Sequence, residues 1–163
     1  MALATPFNAP NQLRHANESH AVDPLNPVSM PRASSLILLN ADAEICLIRR
    51  DDDASILFPS CWGMIGGAAE SDEQPEATIV RECCEETGIQ IVSPKFFVRF
   101  LTFWHEESVF IHQLTQTNPV IRLGEGVEYY FFRPEAILGL KTAFYTAPIC
   151  ALYKLAFPET LAP

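Results

Sequence analysis

No two cysteines in this chain stand in a CxxC pair, and no spacing among His15, His20, His105 and His112 suits zinc. The five cysteines (Cys46, Cys61, Cys83, Cys84, Cys150) are odd in number. They read as small apolar residues in a reducing compartment rather than as a disulfide framework or a metal cage. Long apolar runs are missing too. None approaches the roughly 18 residues a membrane span needs, and the N-terminus lacks the charged-then-apolar order of a signal peptide. A soluble cytoplasmic protein is expected, with no membrane partner. Positive charge is scarce: 11 Lys+Arg against 20 Asp+Glu leave a net charge of −9. That balance argues against a nucleic-acid polymer as the main partner, which would demand a basic face. A small phosphate-bearing ligand stays compatible, because a divalent cation supplies positive charge locally. No internal repeat is visible.

What is present suffices for one domain. The chain has 163 residues, 48% of them hydrophobic and only 19% charged, ample for a single core and too few charges for a coiled coil or a charged disordered chain. Residues 1–33 hold five of the thirteen prolines and no sustained periodicity. They read as an extended arm or loose tail, packing across the domain or across a second copy in a homodimer. From residue 34 onward, apolar runs at 34–39 and 44–50 suggest a hairpin, and residues 54–65 a loop and short strand delivering Gly66-Gly67. Pro75 suits a first helical position and Gly88 a left-handed helix end. The buried stripe of that helix is expected at Ala77, Val80, Cys83 or Cys84, and Thr87. Strands are expected at 90–92, 94–104 and 108–114, with His105-Glu106-Glu107 as a connection. A glycine-bracketed loop at 123–127 then feeds a strand, followed by a short helix from Pro134 and a terminal helix over 148–157. The mixture predicts an α+β fold around a mixed, largely antiparallel sheet, with 34–163 as the domain.

The informative stretch is Gly67 to Ile89, GAAESDEQPEATIVRECCEETGI. Glu82, Glu85 and Glu86 are spaced i, i+3, i+4, which sets their side chains on one helical face. Three neighbouring carboxylates repel one another unless a cation is present. Arg81 alone is near to neutralise them. A hard, oxygen-preferring cation such as Mg²⁺ or Mn²⁺ answers that repulsion, and magnesium takes its remaining ligands from water and substrate phosphates.

This stretch resembles the Nudix box: G, five residues, E, seven residues, then R-E-U-x-E-E-x-G-U with U bulky and apolar. Every fixed position is met. Trp62 to Gly67 is similar to the family's W-x-x-P-G-G approach, and Glu125-Gly126 with Phe131-Phe132 to its later E-G…W-F segment, so residues from about 34 to 140 look Nudix-like. Cys83 at a U position, Ile65 in place of proline and Asp72 in place of glycine depart from the pattern without removing a ligand.

The resemblance implies an α/β/α sandwich and a Mg²⁺-dependent pyrophosphohydrolase, with Mn²⁺ as a substitute. The bond cut would be the diphosphate linkage of a nucleoside diphosphate derivative, by water attack. It further implies that Glu82, Glu85 and Glu86 hold the metal with the Gly66 carbonyl, that Arg81 orients the carboxylates, and that Glu73 meets Arg81 or the metal site and, with Arg50 and Trp62, faces the substrate. Glu82, Glu85 or a later loop carboxylate would serve as general base, Glu125 preferred and Glu128 second. Arg50 matches an arginine that contacts substrate phosphates in some members. Trp62, Phe58, Phe103, Trp104 or Tyr130 could stack on a base, although aromatics in strand-rich domains are more often core. The competing expectation is a catalytically silent Nudix domain that senses a nucleotide or binds a partner.

Overall fold

The computed structural model describes residues 30–158. The arm expected at 1–33 therefore lies mostly outside the described residues, although its last two residues already belong to the first strand. The elements are β1 (Arg32–Leu39), β2 (Ile45–Arg49), β3 (Trp62–Gly63), β4 (Ile65–Ala68), α1 (Pro75–Thr87), β5 (Lys95–Leu101), β6 (Glu106–Gln113), β7 (Glu128–Phe132), α2 (Pro134–Ile137) and α3 (Thr146–Ala156). Among the described residues no helix is long and apolar enough to cross a membrane.

The strands form a seven-stranded sheet in the order β3-β2-β1-β6-β5, with β4 added to β1 and β7 to β2. Only the β1–β6 pair among the named strands is parallel. The sheet is mixed and largely antiparallel, as expected. Helices cover both faces, and the strands show it: β1 and β2 are nearly continuous apolar runs, the pattern of strands buried on two sides. Leu36, Leu38, Cys46 and Ile48 point toward α1 and pack with Ile79 and Cys83. Their neighbours Ile37, Leu39, Ile45 and Leu47 point the other way and pack with Ile137, Ile149, Cys150 and Tyr153 of α2 and α3. All five cysteines are free, four of them buried.

Three local expectations are corrected. The buried stripe of α1 is Thr78, Ile79, Cys83, Glu86 and Thr87. Cys83 and Thr87 are buried as expected and Val80 packs against the same core, but Ala77 faces solvent, and Thr78, Ile79 and Glu86 take the other inner-face places. Residues 90–92 form no strand; Ile91 simply plugs the α1-side core. Glu106 and Glu107 lie in β6 rather than in the connection, since Glu106 pairs with Leu101 and Glu107 with Phe100. The connection is a tight turn in which the Thr102 hydroxyl donates to the His105 carbonyl at 2.9 Å and accepts from its N–H at 3.0 Å.

Candidate active site

Two glycines bring the sheet against α1. Gly66 and Gly67 pair with Ser35 and Ser34 of β1. Gly66 has φ 145°, and a Cβ there would strike the Ser34 carbonyl; a Cβ on Gly67 would strike the Glu82 carboxylate. Only glycine admits that approach. The Ser34 hydroxyl donates to the Pro75 carbonyl at 2.9 Å, tying the first turn of α1 to the same strand. Gln74 is the N-cap without a side-chain cap bond, and Gly88 ends the helix at φ 70° with its N–H bonded to Cys84.

Arg81 sits at the centre of the acidic face. A guanidinium carries five N–H donors, and all five are used. Nε and Nη2 donate to the two oxygens of Glu73 at 3.1 and 3.0 Å, Nη1 to Glu82 at 2.8 Å and Glu85 at 3.0 Å, and Nη2 also to the Ala68 carbonyl at 3.0 Å. This fork holds carboxylates in a geometry a lysine cannot copy. Glu73 is a support of that fork. Arg81, with further hydrogen bonds from the Glu70 N–H and the Thr78 hydroxyl, holds its carboxyl down to about 2.

The remaining carboxylates are crowded rather than compensated. Glu86 is buried at 9% exposure. Burial, followed by the charges of Glu82 and Glu125, pushes its carboxyl up to about 8, against weaker lowering by the Gly66 N–H and by Arg50. Glu82 is also raised, chiefly by burial, with Glu85 and Glu125 adding to the shift. Glu125 reaches this neighbourhood because Gly124 lies flat on the end of α1, donating to the Glu86 carbonyl at 2.9 Å; a side chain there would strike the Glu85 carbonyl.

Among the described residues, no three His, Cys, Asp or Glu side chains stand together as a ready metal-binding group. Arg81 draws Glu82 and Glu85 to itself, and Glu85 is the more exposed of the two. The donor set still fits a hard divalent cation. It consists of carboxylate oxygens, one of them held far above its ordinary range by burial first and by its like-charged neighbours second, which is the electrostatic state a cation relieves.

Other expected residues are distributed unevenly around this centre. Arg50 belongs to it electrostatically, through its effect on Glu86. Arg49 pairs instead with Glu128, so Glu128 is the less available of the two loop carboxylates. Trp62 stands apart, edge-on to Phe132 at 4.9 Å and packed against the α3-side core. Tyr130 also packs on Phe132, at 4.8 Å, while Phe103 and Trp104 sit exposed at the β5–β6 turn.

One group escaped the sequence reading. Glu107 is 1% exposed on the α3 side of the sheet. Its Oε2 accepts from the Tyr145 hydroxyl and lies 2.9 Å from His105 Nε2, whereas Oε1 has no partner. Burial first and the carboxylate second push the Tyr145 hydroxyl far above its ordinary range. An isolated glutamate next to a turn gives no warning of this in one sequence.

Comparison with known proteins agrees with the fold. The NUDIX domain model matches residues 29–149. A MutT-like protein of Streptomyces ambofaciens is 35% identical over 68 residues, 42% of this chain and 38% of that protein, so the match spans well under half of that relative's length. The MutT protein of Methanosarcina mazei Go1 superposes with a TM-score of 0.63 at 23% identity, covering 79% of this chain and 95% of that one. The E. coli dihydroneopterin triphosphate pyrophosphohydrolase gives 0.64 at 19% identity, over 77% and 95%. At these identities the structural likeness speaks for the fold.

Proposed function

Since the chain belongs to the Nudix family, we propose that it is a divalent-metal-dependent pyrophosphohydrolase acting on a nucleoside diphosphate derivative, such as a nucleoside triphosphate or a nucleotide sugar. The observation that carries this reading is the contrast within α1. Arg81 spends every donor on fixing Glu73, Glu82, Glu85 and the Ala68 carbonyl, while Glu86 stays buried beside like charges with its carboxyl near 8. An arrangement built for stability alone would pair that carboxylate.

Glu82, Glu85 and Glu86, with the Gly66 carbonyl, would hold the cation, Mg²⁺ by preference and Mn²⁺ as a substitute. When bound, such an ion lowers the pKa of water and neutralises charge on phosphoryl oxygens. The chain's own residues supply the rest. Arg81 positions Glu82 and Glu85. Glu125, on a loop clamped to the end of α1, takes the proton of the attacking water. Arg50 holds a substrate phosphate through its guanidinium. Glu73 acts by keeping Arg81 in place rather than by touching substrate, a refinement of the role expected for it.

A turnover screen with nucleoside triphosphates, dinucleoside polyphosphates, ADP-ribose and nucleotide sugars tests the reading. Release of phosphate, pyrophosphate or a nucleoside monophosphate that requires Mg²⁺ or Mn²⁺ supports it. Tight nucleotide binding without turnover across the panel favours the silent sensor instead.

A further inference from the structure

We propose that the Tyr145–Glu107 pair is a positioning device for Arg50. The pair fixes the segment that carries Phe144, and the Phe144 ring in turn sets the guanidinium that receives a substrate phosphate. The inference rests on the hydrolase reading and adds to it two residues from the α3 face of the sheet, neither of which touches substrate.

Arg50 follows β2, and its inner groups are tethered. The backbone N–H donates to the Cys61 carbonyl at 3.0 Å, and Nε donates to the Leu57 carbonyl at 2.9 Å. Among the described residues no hydrogen bond engages the Nη groups. The outer edge of the guanidinium therefore stays open to an anion. What lies against the guanidinium is the Phe144 ring, its centroid 5.6 Å from Cζ. A ring face steadies a cation without using any of its donors.

Phe144 must itself be held. Its φ of 50° is left-handed, and a bulky residue persists there only where its surroundings over-determine it. Its two neighbours do so. Ala143 donates its N–H to the Trp62 carbonyl at 2.8 Å. Tyr145 stands edge-on to Phe100 at 4.9 Å. Its hydroxyl donates to Glu107 Oε2 and lies 3.3 Å from His105 Nε2. Stability alone does not call for a carboxyl there. Glu107 is 1% exposed with Oε1 unpartnered, and a well-packed apolar replacement of such a buried polar group is often neutral or stabilising. What an apolar pair lacks is direction. The hydroxyl–carboxyl bond selects one rotamer of Tyr145, and with it one path for the backbone that presents Phe144 to Arg50.

The test measures binding of methylenediphosphonate, a diphosphate analogue whose bridge resists hydrolysis, by titration calorimetry in Mg²⁺. Tyr145→Phe keeps the ring and removes the hydroxyl. The double variant Tyr145→Phe/Glu107→Leu leaves nothing polar buried in the pair, so it keeps the fold even where the single change does not. Both are compared with Arg50 intact and with Arg50→Gln. Arg50→Gln alone is expected to weaken binding about tenfold. The Tyr145 variants should weaken it about 3- to 10-fold with Arg50 intact, and less than about twofold once Arg50 is replaced. A merely structural role would weaken both backgrounds alike. That result overturns the proposal, as does wild-type affinity in the Tyr145 variants or in Arg50→Gln, or no binding by the wild type. Hydrolysis by the wild type without the coupling removes the positioning role and leaves the hydrolase. Coupling with no hydrolysis of any substrate in the turnover screen does the reverse.

Discussion

Two buried glutamates on opposite faces of one sheet are treated in opposite ways. Glu107, under α3, has a tyrosine and a histidine on one of its oxygens and no other carboxylate among its partners. Glu86, under α1, is pushed up to about 8 by its burial first and by the charges of Glu82 and Glu125 second. Desolvating a charge is costly unless it is paired. The Glu107 arrangement offsets that cost at Oε2, through partners that join β6 to the start of α3, and leaves Oε1 without one. The Glu86 arrangement leaves it standing, in a helix whose single arginine is already fully engaged. One pattern belongs to holding a fold together; the other suits a site waiting for a cation.

Substitutions should separate the two. The largest effect is expected for Glu86→Gln, which should lower turnover by about 10²-fold or more while leaving the unfolding midpoint in urea unchanged or raised, because it removes a like charge from the cluster. Arg81→Lys comes next. It keeps the charge but loses the fork, and turnover should fall by about tenfold or more with circular dichroism intact; full recovery with lysine would reduce Arg81 to a counter-charge. Glu107→Ala should act in the other currency, costing about 2–4 kcal/mol in urea unfolding with kcat near wild type for the fraction that is folded.

The smallest effect concerns pH. Glu73 is held at about 2 in the folded protein against an ordinary 4.5, so its contribution to stability is present above about pH 4.5 and is lost as the pH falls through the folded value. Glu73→Gln should flatten the acid limb of the stability curve below about pH 4.5, and an unchanged acid limb would separate Glu73 from Arg81.

The same contrast shows how far one sequence can be read. The residues from Gly67 to Gly88 were legible because a helix converts spacing directly into a shared face, and because Pro75 and Gly88 mark its ends. The mixed sheet was legible in the mixture of strand-like runs, hairpins and helices, whereas cover on both of its faces entered only through the resemblance to the Nudix family. The buried stripe was legible at Val80, Cys83 and Thr87 but not at Glu86, which a count of apolar residues places outside when it is in fact inside. Glu107 was misplaced for a related reason: a carboxylate beside a turn reads as solvated until Tyr145, 38 residues later, is seen to cover it.

The central claim is that the α1 carboxylates, and Glu86 above all, form a cation site. Titration of Mn²⁺ into the protein, followed by electron paramagnetic resonance, tests it most directly. The account predicts saturable binding by the wild type, loss of that binding in Glu86→Gln, and no change in Glu107→Gln. Binding that survives Glu86→Gln at wild-type strength would contradict it.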